Sequence, residues 1–112
     1  MPFQKASPAD AESVLPDEAG HMWFLKDALG TEHVAFTVLE LEPNVDGKRH
    51  DHRDQEEVYY VEDGAVDVDF GDRTVTLEEG EALRVDPEEE RQLRNRDAYS
   101  RLVLVGAPRD AE

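Results

Sequence analysis

Two histidines one residue apart, His50 and His52, open the stretch HDHRDQEEVYYVEDG that covers residues 50–64. In an extended chain, residues two apart project to the same face, so both imidazoles can aim at one point. Neutral imidazole binds iron, manganese, nickel, zinc or copper, and one carboxylate completes a facial set of three donors. Glu56 and Glu57 both lie close enough in sequence to supply it. An exposed loop carrying a polar histidine pair accounts for His-x-His equally well, and the residues alone leave both readings open. Other candidates fall away. His21 and His33 have no ligand-spaced neighbours and read as structural or exposed. The run DVDFGD (67–72) is similar to the start of a calcium loop, but Asp72 stands where that loop needs glycine. No serine sits in a nucleophile elbow, and no glycine-rich phosphate loop is present.

The elements that must position these residues read as strands. HVAFTVLEL (33–41) is apolar on both parities, as a strand covered on both faces is. EVYYV (57–61) follows, with Tyr59 and Val61 on the face of Glu57 and Val58 and Tyr60 on the other. AVDVDF (65–70) alternates, Val66, Val68 and Phe70 inward against Asp67 and Asp69 outward. RTVTL (73–77), EALRV (81–85), RQLRN (91–95) and SRLVLVG (100–106) complete the set, with turn signals at Asp63-Gly64, Gly71-Asp72 and Glu79-Gly80. No segment after residue 22 carries helical periodicity over three turns. Seven or eight short strands with regular turns predict an all-β sandwich or barrel. Trp23 and Phe24 are expected to pack in the core, or to close a barrel end or a dimer contact.

With 112 residues the chain is expected to be one domain. Residues 1–20, which hold three of the six prolines, read as an N-terminal arm or loosely ordered lead-in, 21–108 as the domain, and 109–112 as a C-terminal tail. The absence of cysteine excludes disulfide and thiolate chemistry. A net charge of −16 argues against nucleic acid and against anionic membranes as partners. No apolar run is long enough to cross a bilayer and no apolar signal core leads the chain, so the expected location is the cytoplasm. Three lysines against nine arginines, with so acidic a balance, resemble the proteins of salt-loving archaea, whose dense acidic surface keeps them soluble at high salt.

Set against a known pattern, His50, His52, Glu57 and Gly64 resemble the first motif of the cupin family, Gly-x5-His-x-His-x(3,4)-Glu-x6-Gly. Asn44 takes the leading glycine position, which asparagine tolerates because it enters the left-handed region. The resemblance makes Glu57, rather than Glu56, the ligand. It implies a small double-stranded β-helix (jelly-roll) barrel with an interior pocket, and often a homodimer. The second motif, Gly-x5-Pro-x-Gly-x2-His-x3-Asn, departs from the family. Gly80 and Asn95 anchor it without a gap, placing Asp86 at the proline, Glu88 at the glycine and Arg91 at the histidine that is the fourth ligand. A shift by one residue would turn Leu93 outward. Arginine stays protonated and cannot ligate a metal, so Arg91 has two readings. It is a clamp for an anionic substrate beside a three-ligand metal on His50, His52 and Glu57, or it is the partner of a buried Glu57 in a pocket without metal. Tyr59 could donate a hydrogen bond to a ligand or simply fill the barrel. The implied cofactor is one divalent transition metal: Fe, Mn, Ni, Zn or Cu. The implied function is a dioxygenase- or isomerase-like enzyme on a small anionic organic molecule, or a non-catalytic small-molecule or carbohydrate-binding protein with a degenerate metal site.

Overall fold

A computed structural model describes residues 2–109. After a short 3-10 helix at Pro8–Asp10 come eight strands and one helical turn: β1 (Gly20–Phe24), α1 (Lys26–Leu29), β2 (Ala35–Leu41), β3 (Gln55–Asp63), β4 (Ala65–Asp69), β5 (Thr74–Glu78), β6 (Ala82–Val85), β7 (Gln92–Asn95) and β8 (Ser100–Pro108). They form two antiparallel sheets, ordered β1-β2-β8-β3-β6 and β5-β4-β7. The architecture is the all-β jelly roll expected.

Alternation decides what lies between the sheets. Leu39, Leu41, Tyr59, Val61, Val66, Val68, Leu77, Val85, Leu93 and Leu102 form one buried cluster. Phe70 packs at its margin. Tyr60, on the opposite parity of β3 from Tyr59, is exposed. The turn signals play two different parts. Gly71-Asp72 joins β4 to its antiparallel partner β5. Asp63-Gly64, in contrast, closes no hairpin, because β3 and β4 belong to different sheets. Gly64 passes the chain across at φ 87°, where a side chain would stand against Ser100 Oγ and the Tyr99 carbonyl. Glycine is required there on both counts.

Strand β1 was not anticipated. It pairs Met22 with Leu39 and Trp23 with Val38, so Met22 faces inward and Trp23 outward. Trp23 is therefore no core residue; its ring stacks on His21 at 5.0 Å and 8° on the outer face. Phe24 is more than half exposed. Residues 13–20, expected as part of a loose lead-in, pack back on the barrel. Leu15 lies against the core cluster. The Met22 N–H donates to Ser13 Oγ (3.0 Å), and the Val14 N–H donates to the Met22 carbonyl (2.9 Å), so both polar groups on this stretch of the β1 edge are occupied. Of the expected tail at 109–112, residues 110–112 lie outside the described residues. Among the described residues no helix is long and apolar enough to cross a membrane.

Asn95 ties the two sheets together next to the histidine loop. Its Nδ2 donates to the carbonyls of Leu41 (3.1 Å), Glu42 (2.8 Å) and Ala98 (2.9 Å), and its Oδ1 accepts from Ser100 Oγ (2.7 Å). The end of β2, from which the loop departs, is thereby fixed to the end of β7.

Candidate metal centre

The loop from 44 to 52 is held in place by its backbone. Asn44 turns it at φ 65°, the left-handed conformation expected of this position. From there the loop runs antiparallel to β7. Gly47 N–H donates to Leu93 O (2.7 Å), His50 and Arg91 exchange both backbone hydrogen bonds (2.9 Å each), and His52 N–H donates to Pro87 O (2.8 Å). Four fixed points over nine residues leave the two histidines little freedom. Glu57 comes from the opposite side, on the inward face of β3, where it pairs with Gly106 of β8 and Val85 of β6.

These placements bring together the three residues that the motif singled out. One donor atom each from His50, His52 and Glu57 lie within 4.8 Å of one another, and the two rings meet edge to face at 5.2 Å. His50 Nδ1 lies 3.0 Å from the Lys48 carbonyl. A carbonyl only accepts, so Nδ1 carries the proton and Nε2 presents its lone pair to the centre. His52 Nε2 is buried without a hydrogen-bond partner among the described residues. Glu57 Oε1 is 3.2 Å away but makes no hydrogen bond with it. A buried unpaired ring nitrogen beside a second free lone pair and a carboxylate is a donor set that a divalent transition ion satisfies. The residues present therefore fit a three-ligand metal site.

Arg91 occupies the fourth-ligand position in the manner of the second of its two readings. It does point inward, and it is completely buried, but it offers no face to a substrate. Its Nη2 donates to Glu57 Oε1 (2.6 Å) and its Nε to Tyr59 OH (3.2 Å). Its Nη1 donates to the backbone carbonyls of Glu89 (2.6 Å) and Asp86 (3.3 Å). The loop that replaces the family's Pro-x-Gly thus turns its carbonyls onto the guanidinium. Tyr59 OH donates in turn to Glu57 Oε1 (2.9 Å). Of the two readings of Arg91, the geometry matches the partner of a buried Glu57, with Tyr59 hydrogen-bonded to both. Sequence reasoning fixed the direction of Arg91 but missed the two carbonyls that immobilise it, because backbone orientation in an irregular loop leaves no residue pattern.

Electrostatics follow the geometry. Burial opposes the charge on Glu57, but His50, Arg91, His52 and Tyr59 together hold its pKa down at about 2. The Arg91 contact, at 2.6 Å, is a true hydrogen bond, whereas His50 Nε2 lies 3.8 Å from the carboxylate, beyond hydrogen-bond reach. His50 is raised, first by Glu57 and against its own burial. Burial, and then Glu57, push Tyr59 far up, so it stays a neutral phenol. Because the folded pKa of Glu57 lies below its ordinary 4.5, ionised Glu57 favours the folded state above that pH. This contribution, about 3 kcal/mol, drains away as the pH falls from 4.5 towards 2. Urea unfolding of the protein and of Glu57→Gln should show a stability gap that narrows by roughly that amount over this window. A gap that stays constant with pH would mean Glu57 is not held ionised.

Next to the three donors lies a cavity of about 430 Å³ bounded by residues of β1, β2, β3, β7 and β8, by Leu15 and Ala19 of the N-terminal segment, and by loop residues 45–48. Tyr59 lines it; Arg91 does not. Of the residues singled out in the sequence, His50, His52, Glu57 and Tyr59 therefore share one wall, while His21 and His33 lie elsewhere. His21 Nδ1 contacts Glu40 on the outer face (3.3 Å). The cavity itself, walled by β1 and the segment before it, was not foreseen.

Comparison with known proteins extends this picture. The sequence matches the cupin domain family over residues 37–105, well over half of the chain. No curated protein matches it in sequence. Among solved structures it is similar to a cupin protein from Bacteroides fragilis, with 20% identity, a TM-score of 0.77 and coverage of 100% of this chain and 89% of that one. It is also similar to KdgF from Halomonas sp. (15% identity, TM-score 0.76, 96% and 93% covered). A third is a sugar phosphate isomerase of the cupin superfamily from Silicibacter pomeroyi (24% identity, TM-score 0.71, 87% and 68% covered). Likeness at these identities is likeness of fold.

Proposed function

The chain belongs to the cupin family, and within it we propose that this protein is a metal-dependent enzyme that acts on a small organic molecule bound through its oxygens beside His50, His52 and Glu57. The observation that carries the reading is the unpaired, buried Nε2 of His52 at the wall of a cavity large enough for a small ligand. An enzyme gains from such a group only if something binds it.

The chain's own residues supply three things. His50 and His52 give two nitrogen donors, one with its Nδ1 turned to the Lys48 carbonyl. Glu57 gives the anionic donor, kept ionised by Arg91 and held in orientation by Tyr59. The cavity wall excludes water from the substrate's body. A bound Fe, Mn, Ni, Zn or Cu ion would supply Lewis acidity or a site for dioxygen. Apart from the three donors, the titratable residues lining the cavity are Tyr59, Asp46 and Lys48. Tyr59 is committed to Glu57, and Asp46 and Lys48 are exposed. Among the described residues no buried base other than the three donors lines the cavity to shuttle a proton between substrate carbons, which favours a dioxygenase-like reaction over an isomerase-like one.

The alternative is a binding protein that has lost its metal, and Arg91 in the fourth-ligand position is the observation in its favour. Metal analysis by plasma mass spectrometry on untagged protein, followed by oxygen uptake with the loaded protein, separates the two. About one transition-metal ion per chain and oxygen consumption with an enolic substrate are expected. No metal after reconstitution would overturn the enzyme reading and leave the binding one.

A further inference from the structure

The wall of the cavity carries information about the ligand that the three donors do not. Met22, Phe24, Leu39, Leu41, Leu93 and Leu104 face into it. These six residues come from four strands, so hydrocarbon is presented from several sides and not as one stripe. The polar side chains of the lining are the three donors, Tyr59, the exposed Asp46 and Lys48, and Thr37. No arginine lines the space, since Arg91 is turned away and spent on Glu57, Tyr59 and two carbonyls. Tyr59 has its hydroxyl engaged on both sides.

A phosphorylated sugar would bring a dianion and several hydroxyls into this space and find neither a buried cation nor a row of hydrogen-bond partners. Each group stripped of water without a partner counts against binding. A molecule with a hydrocarbon body loses nothing in the same transfer and gains from every apolar surface it buries. Resting on the reading of the centre as a metal pocket, we propose that the substrate is a largely apolar molecule. It would carry its oxygens as a compact chelating pair at one end, in the manner of an enolised β-diketone, and sugar phosphates would be excluded. Met22, which points inward from the edge strand β1, is then a specificity-determining residue that touches the substrate's hydrocarbon end.

Calorimetric titration with two probes, benzoylacetone and glucose 6-phosphate, tests this on metal-loaded and on metal-stripped protein, with metal content measured before and after. Benzoylacetone is expected to bind at least about tenfold more tightly than the sugar phosphate in both forms, and more tightly in the loaded one. Met22→Gln should weaken benzoylacetone about tenfold with metal content unchanged, and Met22→Leu should restore it. Equal or reversed preference, or an unaltered affinity in Met22→Gln, would overturn the substrate class. If the protein takes up no metal, the enzyme reading falls. The preference of the stripped protein then still decides whether the cavity is built for hydrocarbon.

Discussion

Arg91→Leu is expected to lower the unfolding free energy by about 3–5 kcal/mol, the largest effect on stability of any change in the pocket. The volume of the side chain is not the cause. The substitution leaves Glu57, whose side chain is only 14% exposed, without the partner that keeps it ionised in the interior. It also strands the Asp86 and Glu89 carbonyls that the guanidinium gathers in. A carboxylate stripped of its counter-ion either remains charged at a high cost or takes up a proton. The double variant Arg91→Leu/Glu57→Gln should therefore recover a large part of the loss, because a neutral amide needs no cation. Urea unfolding of the two single variants and the double variant measures the coupling directly. If the double variant is as unstable as the sum of the singles, the pair is not the source of the penalty.

His52→Ala is expected to behave in the opposite way. Its ring nitrogen has no hydrogen bond to lose among the described residues, and the backbone bond from its N–H to Pro87 O does not depend on the side chain. The metal-free protein should thus lose far less stability than Arg91→Leu does. Metal affinity should fall by two orders of magnitude or more, beyond the 10–100-fold typical of losing an outer-sphere partner, since a donor itself is removed. Competition against a chromophoric chelator reads the affinity, and thermal melts in chelator read the fold. The contrast between the variants is the sharper test: Arg91 supports the fold, and His52 holds the ion. A His52→Ala protein that keeps its metal would place the ion elsewhere.

Much of this was legible in the residues. Strand β4 alternates because one face meets the core and the other meets water. The resemblance, anchored on Gly80 and Asn95, put Arg91 at the inward histidine position, and alternation kept Leu93, two residues on, in the core. Left-handed Asn44 was readable from the motif for an equally local reason. Strand β1 was not readable. In GHMWF the outward Trp23 and the inward Met22 are both large and apolar, so the period of two that marks a strand is absent. Leu15 was missed because its partners come from distant parts of the chain, and the prolines around it are signals of turning, not of where the chain returns. The destination of the Arg91 fork depends on which way two carbonyls face in a loop of acidic residues, and no side-chain pattern records that.

The short stretch where Ser13 and Val14 cover Met22 has a consequence for the protein as a population of molecules. A sheet that ends in a bare strand is a template on which another chain can add itself, and repeated addition makes fibres. Here that position is already taken, by the same segment that places Leu15 and Ala19 over the cavity. One piece of chain in this way covers both the Met22 edge position and one side of the cavity. A protease cut between residues 15 and 20 would free Ser13, Val14 and Leu15 together, baring the Met22 position of the edge and one side of the cavity at the same time.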